Sequence, residues 1–327
     1  ATDWNPNPAG ASPYPQVQTL AQAGDTLFIG GYFSTVSGNV RYCLAALDLA
    51  SGGVLGWDPR PDNGVWTLCT DGSTTYVGGS FISLHDWVFR DNLAALDLTT
   101  GRVKDWAPQP DGVIVNALVL AGDRLYAAGD FTRIGGATRW GVAALDTAGG
   151  LATAWDPHAD WDVNSLALLN GTMYAGGLFT SIGGQPRRYL AALDTASGLA
   201  LDWDPRPDDW VTKLATRGNT IYAAGWFGSV GDKSRWMLAS VDATTGAVTD
   251  WAPETDGWVE DLIAWDGRVY LGGEFGAVNG VTRSGLAAVD DSIGEVADWD
   301  PAPYGRTWSL ATDGNAIYAG GEFLSIG

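Results

Sequence analysis

The side chains able to do chemistry here are 38 carboxylates and 17 tryptophans, set against 18 Lys and Arg, two histidines and two cysteines. Two carboxylates flanking one glycosidic bond would serve acid–base hydrolysis, and acidic loops of alternating ligands would hold Ca²⁺. Tryptophans beside carboxylates and amides suit contacts with a glycan or a peptide. His85 and His158 lie far apart. A histidine metal cluster is therefore excluded, and a Ser-His-Asp triad has no support. The acidic turns Pro61-Asp62, Pro110-Asp111 and Pro207-Asp208-Asp209 lack the alternating spacing of a calcium loop and read as ordinary turns. No cofactor is expected, with Ca²⁺ left open.

The formal net charge of −20 opposes nucleic-acid binding, which needs clustered cations. No window of 18 apolar residues predicts a membrane span. The chain starts at Ala1 without a leader, which fits both a mature secreted protein and an excised piece. Cys43 and Cys69 fall in neighbouring repeats, and whether they pair stays open.

The elements that must position these residues are repeated. A Trp-x-Pro motif recurs at Trp4, Trp57, Trp106, Trp155, Trp203, Trp251 and Trp299, with successive gaps of 53, 49, 49, 48, 48 and 48. A second marker, an aromatic followed by a small or glycine pair and then Phe, recurs with it, closing at Phe33, Phe81, Phe131, Phe179, Phe227, Phe275 and Phe323. A Leu-Ala-Ala-Leu-Asp segment ends at Asp48, Asp97, Asp146, Asp194, Asp242 and Asp290, each seven positions after Arg41, Arg90, Arg139, Arg187, Arg235 or Arg283. These residues read as structural, since a residue copied around a repeat seldom forms a single catalytic centre. The tryptophans are expected to pack between repeats, the glycines to permit close approach or a bulge, and each Arg to bond the Asp seven positions on.

Within one repeat, Val163–Leu168, the Asn170-Gly171 turn, Met173–Gly177, Leu190–Leu193 and a last segment reaching Trp203 predict four short strands. Four strands in about 48 residues predict an all-β chain, a single β-propeller over 1–327 with seven four-stranded blades. The repeats start near 4, 57, 106, 155, 203, 251 and 299. Glycine and proline are too dense for a helical solenoid.

The markers resemble known families. Asp-x-x-Thr-Gly-x-x-x-x-Trp, at Asp97–Trp106 and Asp242–Trp251, resembles the tryptophan-docking motif of quinoprotein (PQQ-like) propellers. The whole unit is similar to the delta-60-type propeller repeats of bacterial extracellular proteins. That resemblance implies a secreted or cell-surface setting and carries no uniform activity. The quinoprotein enzymes are a poor match, because adjacent cysteines and a Ca²⁺-binding carboxylate set are missing.

The last repeat is incomplete. It lacks the Arg and Leu-Ala-Ala-Leu-Asp segment after Phe323, while the chain opens at Asp3-Trp4, which matches a repeat's end. The N-terminal strand is expected to close this last blade, leaving its third strand unfilled. A shorter chain than the natural one, strand donation from a neighbour, and a six-bladed ring with an extra hairpin all stand as explanations.

Function is expected where repeats differ. Flanking the recurring valine of the first strand, such positions predict a channel-mouth set of Trp66, Asn116, Asp162, Asn164, Trp210, Trp258, Glu260 and Trp308. A second candidate contact surface is His85, Trp87 and Phe89, where the second repeat replaces its Gly-Gly loop. Three readings follow. The first is a non-catalytic extracellular binding or assembly module for a protein or glycan. The second is a carbohydrate-binding or carbohydrate-cleaving propeller. The third is a subunit of a surface filament, self-assembling through the incomplete blade.

Overall fold

The computed structural model describes residues 4–10 and 15–327, so Asp3 lies outside the described residues. The fourth repeat shows how the sequence makes the unit. Val163–Leu169 turns through Asn170 and Gly171, with φ of 51° and 79°, and returns as Thr172–Gly177. Two left-handed residues give the tight turn that matches strand twist. Leu190–Asp194 adds antiparallel to the second strand.

The expected fourth strand is reduced to a single bridge, Leu193↔Ala200, and the same bridge recurs as Leu47↔Val54, Leu96↔Val103, Leu145↔Ala152, Val241↔Val248 and Val289↔Val296. The outer segment runs at once into Trp-x-Pro, and proline cannot donate to a ladder. Between the second and third strands the glycine loop is itself a small hairpin, as in Ser181–Ile182 with Gln185–Pro186.

Six sheets of three strands are built this way, and Gly305–Thr312 with Ile317–Phe323 form a sheet of two. The chain divides into two compact bodies, Ala1–Ala154 with Ala311–Glu322, and Trp155–Leu310 with Phe323–Gly327. In each, the core lies between consecutive repeats. Tyr174, Leu190 and Ala192 of the fourth repeat pack with Val211, Leu214 and Phe227 of the fifth, for example.

The glycine pairs divide their work. A β-carbon on Gly176 would lie 2.6 Å from Val211 Cγ1 of the next repeat, whereas one on Gly177 would lie 2.2 Å from its own Asp162 carbonyl oxygen. The first contact is with side chains of the next repeat, and Ala128 and Ala224 stand at that position elsewhere. The second is with backbone at a β-bulge between Val163 and Ser165, and glycine occupies it in every repeat.

The repeated tryptophans clasp one repeat to the next. Trp57, Trp106, Trp203, Trp251 and Trp299 meet Phe28, Tyr76, Tyr174, Tyr222 and Tyr270 edge-on at 4.9 to 5.2 Å. The indole N–H of Trp57, Trp106, Trp155, Trp203 and Trp251 then donates to the carbonyl of Asp97, Asp146, Asp194, Asp242 and Asp290, over 2.8 to 3.0 Å. A buried indole thus keeps its donor satisfied.

The arginines do not make the bond expected of them. Arg187 Nη2 donates to the Leu201 carbonyl at 2.7 Å and Nη1 to Pro186 at 2.8 Å, and Arg41, Arg90, Arg139, Arg235 and Arg283 repeat the pattern on Leu55, Lys104, Thr153, Thr249 and Ala297. The reason lies in the outer segment: with one bridge it leaves carbonyls unpaired, and the guanidinium fork reaches them. The aspartates instead hold their own turns. Asp194 Oδ1 accepts from Ser197 N and Oγ, both at 2.6 Å, and these bonds hold its carboxyl below the usual range. Asp48, Asp97, Asp242 and Asp290 are lowered in the same way by their turn hydroxyls and amides.

The closure expected of the N-terminal segment takes the form of a ring contact. Trp4 meets Tyr318 edge-on at 5.3 Å, and a β-carbon on Gly52 would lie 3.2 Å from its Nε1, as one on Gly101 would lie 3.1 Å from Trp57 Cδ1. The strand in this segment, Pro8–Ala9, pairs with Thr35–Val36 of the first repeat. Trp4 Nε1 is buried without a hydrogen-bond partner among the described residues.

Candidate functional site

Variable residues at the start of each first strand and the end of each second strand face one another. The register pairs Gln16 with Tyr32, Ile114 with Asp130 and Trp258 with Glu274. The bulge frees the residue after the recurring valine from the ladder, and so Trp66, Asn116, Asn164 and Glu260 are each half-buried, as is Trp308 after Thr307.

In the second body this arrangement collects aromatics. Trp210 and Trp226 have ring centroids 6.2 Å apart, and Trp226 and Trp258 4.9 Å apart at 30°. All three remain 41 to 50% exposed. The Arg306 guanidinium carbon lies 5.9 Å from the Trp258 centroid and 4.5 Å from that of Trp308, and Arg306 Nη2 pairs with Glu274. Cation and ring faces attract electrostatically. Trp308 Nε1 is buried with no hydrogen-bond partner among the described residues. Burial raises the Glu260 carboxyl above its ordinary value, against the opposing pull of Arg306 and Lys213. Beneath it Asp261 accepts from Leu310 N at 2.7 Å and meets Lys213 Nζ at 3.4 Å.

Four of the expected residues, Trp210, Trp258, Glu260 and Trp308, thus gather around one stacked platform. Asp162 accepts from Leu178 N through its carbonyl at 2.9 Å, and Asn164 Nδ2 donates to Val211 O at 3.5 Å. Trp66 and Asn116 belong to the first body. There Trp66 Nε1 lies 3.4 Å from Ser80 Oγ, and its ring meets Tyr32 at 5.5 Å. Sequence reasoning missed Trp226, Glu274 and Tyr32. Their signal was present, because each is the one variable residue inside the most repeated motif.

The second candidate surface is exposed. His85–Trp87 form a single 3₁₀ turn, and Trp87 and Phe89 are 77% and 65% exposed. Cys43 and Cys69 are free thiols, and burial pushes Cys69 up to about 12. The aspartates of the acidic turns accept backbone bonds. Asp160 takes Thr180 N at 2.8 Å and Ser181 N at 3.0 Å, and Asp62, Asp111 and Asp208 do likewise. Among the described residues no group of three or more His, Cys, Asp or Glu is arranged to hold a metal ion. Nor is any described helix long and apolar enough to cross a membrane.

A family model described as a domain of unknown function (DUF5122) beta-propeller matches residues 266–287. No curated protein matches. Among solved structures, the chain is similar to the WD40 beta propeller domain of Doa1, at 13% identity and a TM-score of 0.66, over 98% of this chain and 94% of that one. It is also similar to the computationally designed Ika8 protein, at 11% identity and a TM-score of 0.62, over 98% and 97%. Likeness at such identities concerns the fold. With the repeated sheets, it establishes that this chain is a β-propeller.

Proposed function

We propose that this propeller is a non-catalytic binding module whose docking surface is the platform Trp210–Trp226–Trp258–Arg306–Trp308, and that its partner is a protein. The observation that carries this reading is the contiguity of three half-exposed tryptophans with a stacked arginine. Trp and Arg dominate the energetics of protein interfaces, and a rim of charge such as Glu274 sets register. A glycan is the less favoured ligand at this surface. Trp226 and Trp258 lie against each other's faces, which leaves less open ring area for a sugar.

A secreted or cell-surface setting, and kinship with the delta-60-type repeats rather than the quinoprotein enzymes, belong to the same proposal. They rest on the resemblance of the repeat and on its acidic composition. The test is selection of a random peptide-display library on the intact chain. Enriched sequences that lose binding to Trp226→Ala support the reading, and enrichment indifferent to that change removes it.

One observation favours assembly as a second role. Among the described residues Ile317–Phe323 pairs on one side only, and its residues are half-buried where the matching strand Thr172–Gly177 is almost wholly buried. An unpaired edge of this kind is a template for another strand. Sedimentation velocity over a hundredfold range of concentration tests it (about 1 to 100 μM, the range where exposed edges associate): growing species are expected, and a single concentration-independent species contradicts it.

A further inference from the structure

A cleft of about 630 Å³ in the first body is lined by Tyr32, Tyr42, Arg60, Asn63 and Trp87 among others. That volume falls within the range of small-molecule sites. It lies where the second repeat departs from its siblings. The small hairpin turns elsewhere on Ser37-Gly38, Gly135-Gly136, Gly183-Gly184, Gly231-Asp232 or Asn279-Gly280, but here on a 3₁₀ turn ending at Trp87. Trp87 holds a left-handed φ of 61° while 77% exposed. For so bulky a residue that conformation is strained, and little packing offsets it.

Two tyrosines also line the cleft. Tyr42 is 46% exposed. Tyr32 is fixed by the edge of Trp66 and by Gly64, where a β-carbon would lie 2.5 Å from the Tyr32 ring. The rim cation is already matched, and the rim carboxylate is held by neutral donors. Arg60 Nε donates to Asp58 Oδ2 at 2.7 Å, and Asp62 accepts from Ile82 N, Ser83 N and Ser83 Oγ at 2.8 to 3.1 Å. Asn63 Oδ1 accepts from Gly64 N at 2.8 Å, and Nδ2 is a further donor on the same side chain. An anionic ligand would gain no unpaired cation here, because Arg60 already meets Asp58. A ligand with an apolar C–H face and a hydroxyl rim would use both the rings and the remaining donors.

We propose that this cleft is a carbohydrate subsite that takes a neutral pyranose ring, stacked on Trp87 and bonded at its rim by Arg60, Asn63 and the Tyr42 hydroxyl. The subsite is independent of the tryptophan platform, which belongs to the other body.

The test is a printed array of neutral and acidic oligosaccharides probed with the intact chain, followed by calorimetric titration of the hits. Neutral pyranosides are expected to bind, with Trp87→Ala weakening them at least about tenfold, as loss of an aromatic anchor does. Trp87→Gly is the sharper variant. Glycine accepts the left-handed backbone freely, so the unfolding midpoint is expected to hold or rise while binding is lost by the same factor. Trp226→Ala is expected to leave these titrations unchanged, which separates failure here from failure of the platform. An array without hits, hits confined to acidic sugars, or full affinity in Trp87→Gly would each overturn the assignment.

Discussion

Each indole of the repeat makes two kinds of contact, and they can be separated. Trp203 lies 5.1 Å from the Tyr174 ring and donates to Asp242 O at 2.9 Å. Trp203→Phe keeps the ring and loses the bond, and we expect a cost of about 1 kcal/mol in urea unfolding. Trp203→Ala is expected to cost about 3–5 kcal/mol. Glu260 gives a prediction of opposite sign. Its folded pKa is raised by burial above the unfolded value, so the folded state binds the extra proton between the two. Its contribution is most favourable below the unfolded pKa and is lost as pH rises through the folded one. Glu260→Gln is therefore expected to raise the unfolding midpoint at pH 7, with the gain vanishing near pH 4. Residue identity made the structural tryptophans legible in sequence. It did not reveal the arginine bonds, because a spacing of seven across an irregular loop says nothing about which way a long side chain turns. The platform was half legible: Trp210, Trp258 and Trp308 stood out by divergence, while Trp226 was hidden inside a motif read as uniform.

The strands and turns follow closely from the glycines and aspartates. Backbone opposes any side chain at Gly177, whereas Gly176 faces the side chains of Val211 and Leu214. Gly176→Ala is expected to cost about 1 kcal/mol and Gly177→Ala about 3 kcal/mol or more, the upper end for overpacking. Equal costs would refute the division of roles. The turn aspartates tie the acidic segments to the small hairpins. Burial pushes Asp111, Asp160 and Asp208 up, yet bonds from Thr132, Thr180 and Ser229 and from backbone amides hold each below the usual value. A folded pKa below the unfolded one adds stability above the unfolded value, and that stability is lost as pH falls through the folded one. Thermal midpoints should thus be insensitive to these groups above about pH 5 and decline below about pH 4. The fourth strand is the least regular of the four, since the short apolar segment ahead of Trp-x-Pro pairs with the third through a single bridge before the proline ends it.

At the scale of the molecule, a repeat read from sequence became a β-propeller by comparison and by its sheets, while function stayed in the departures from the repeat. Those departures are a tryptophan–arginine platform in one body and a strained tryptophan beside a cleft in the other. Divergence marks such places, but stacking distances, matched charges and left-handed backbone emerge only once strands are in register. The claim at the centre is that the platform docks a protein. It is tested most directly by measuring the affinity of display-selected peptides for the intact chain and for Trp226→Ala/Trp258→Ala. Two hot-spot aromatics at about 2 kcal/mol each should together weaken binding by roughly a hundredfold or more. Affinity unchanged within about threefold, less than 1 kcal/mol, would contradict the account.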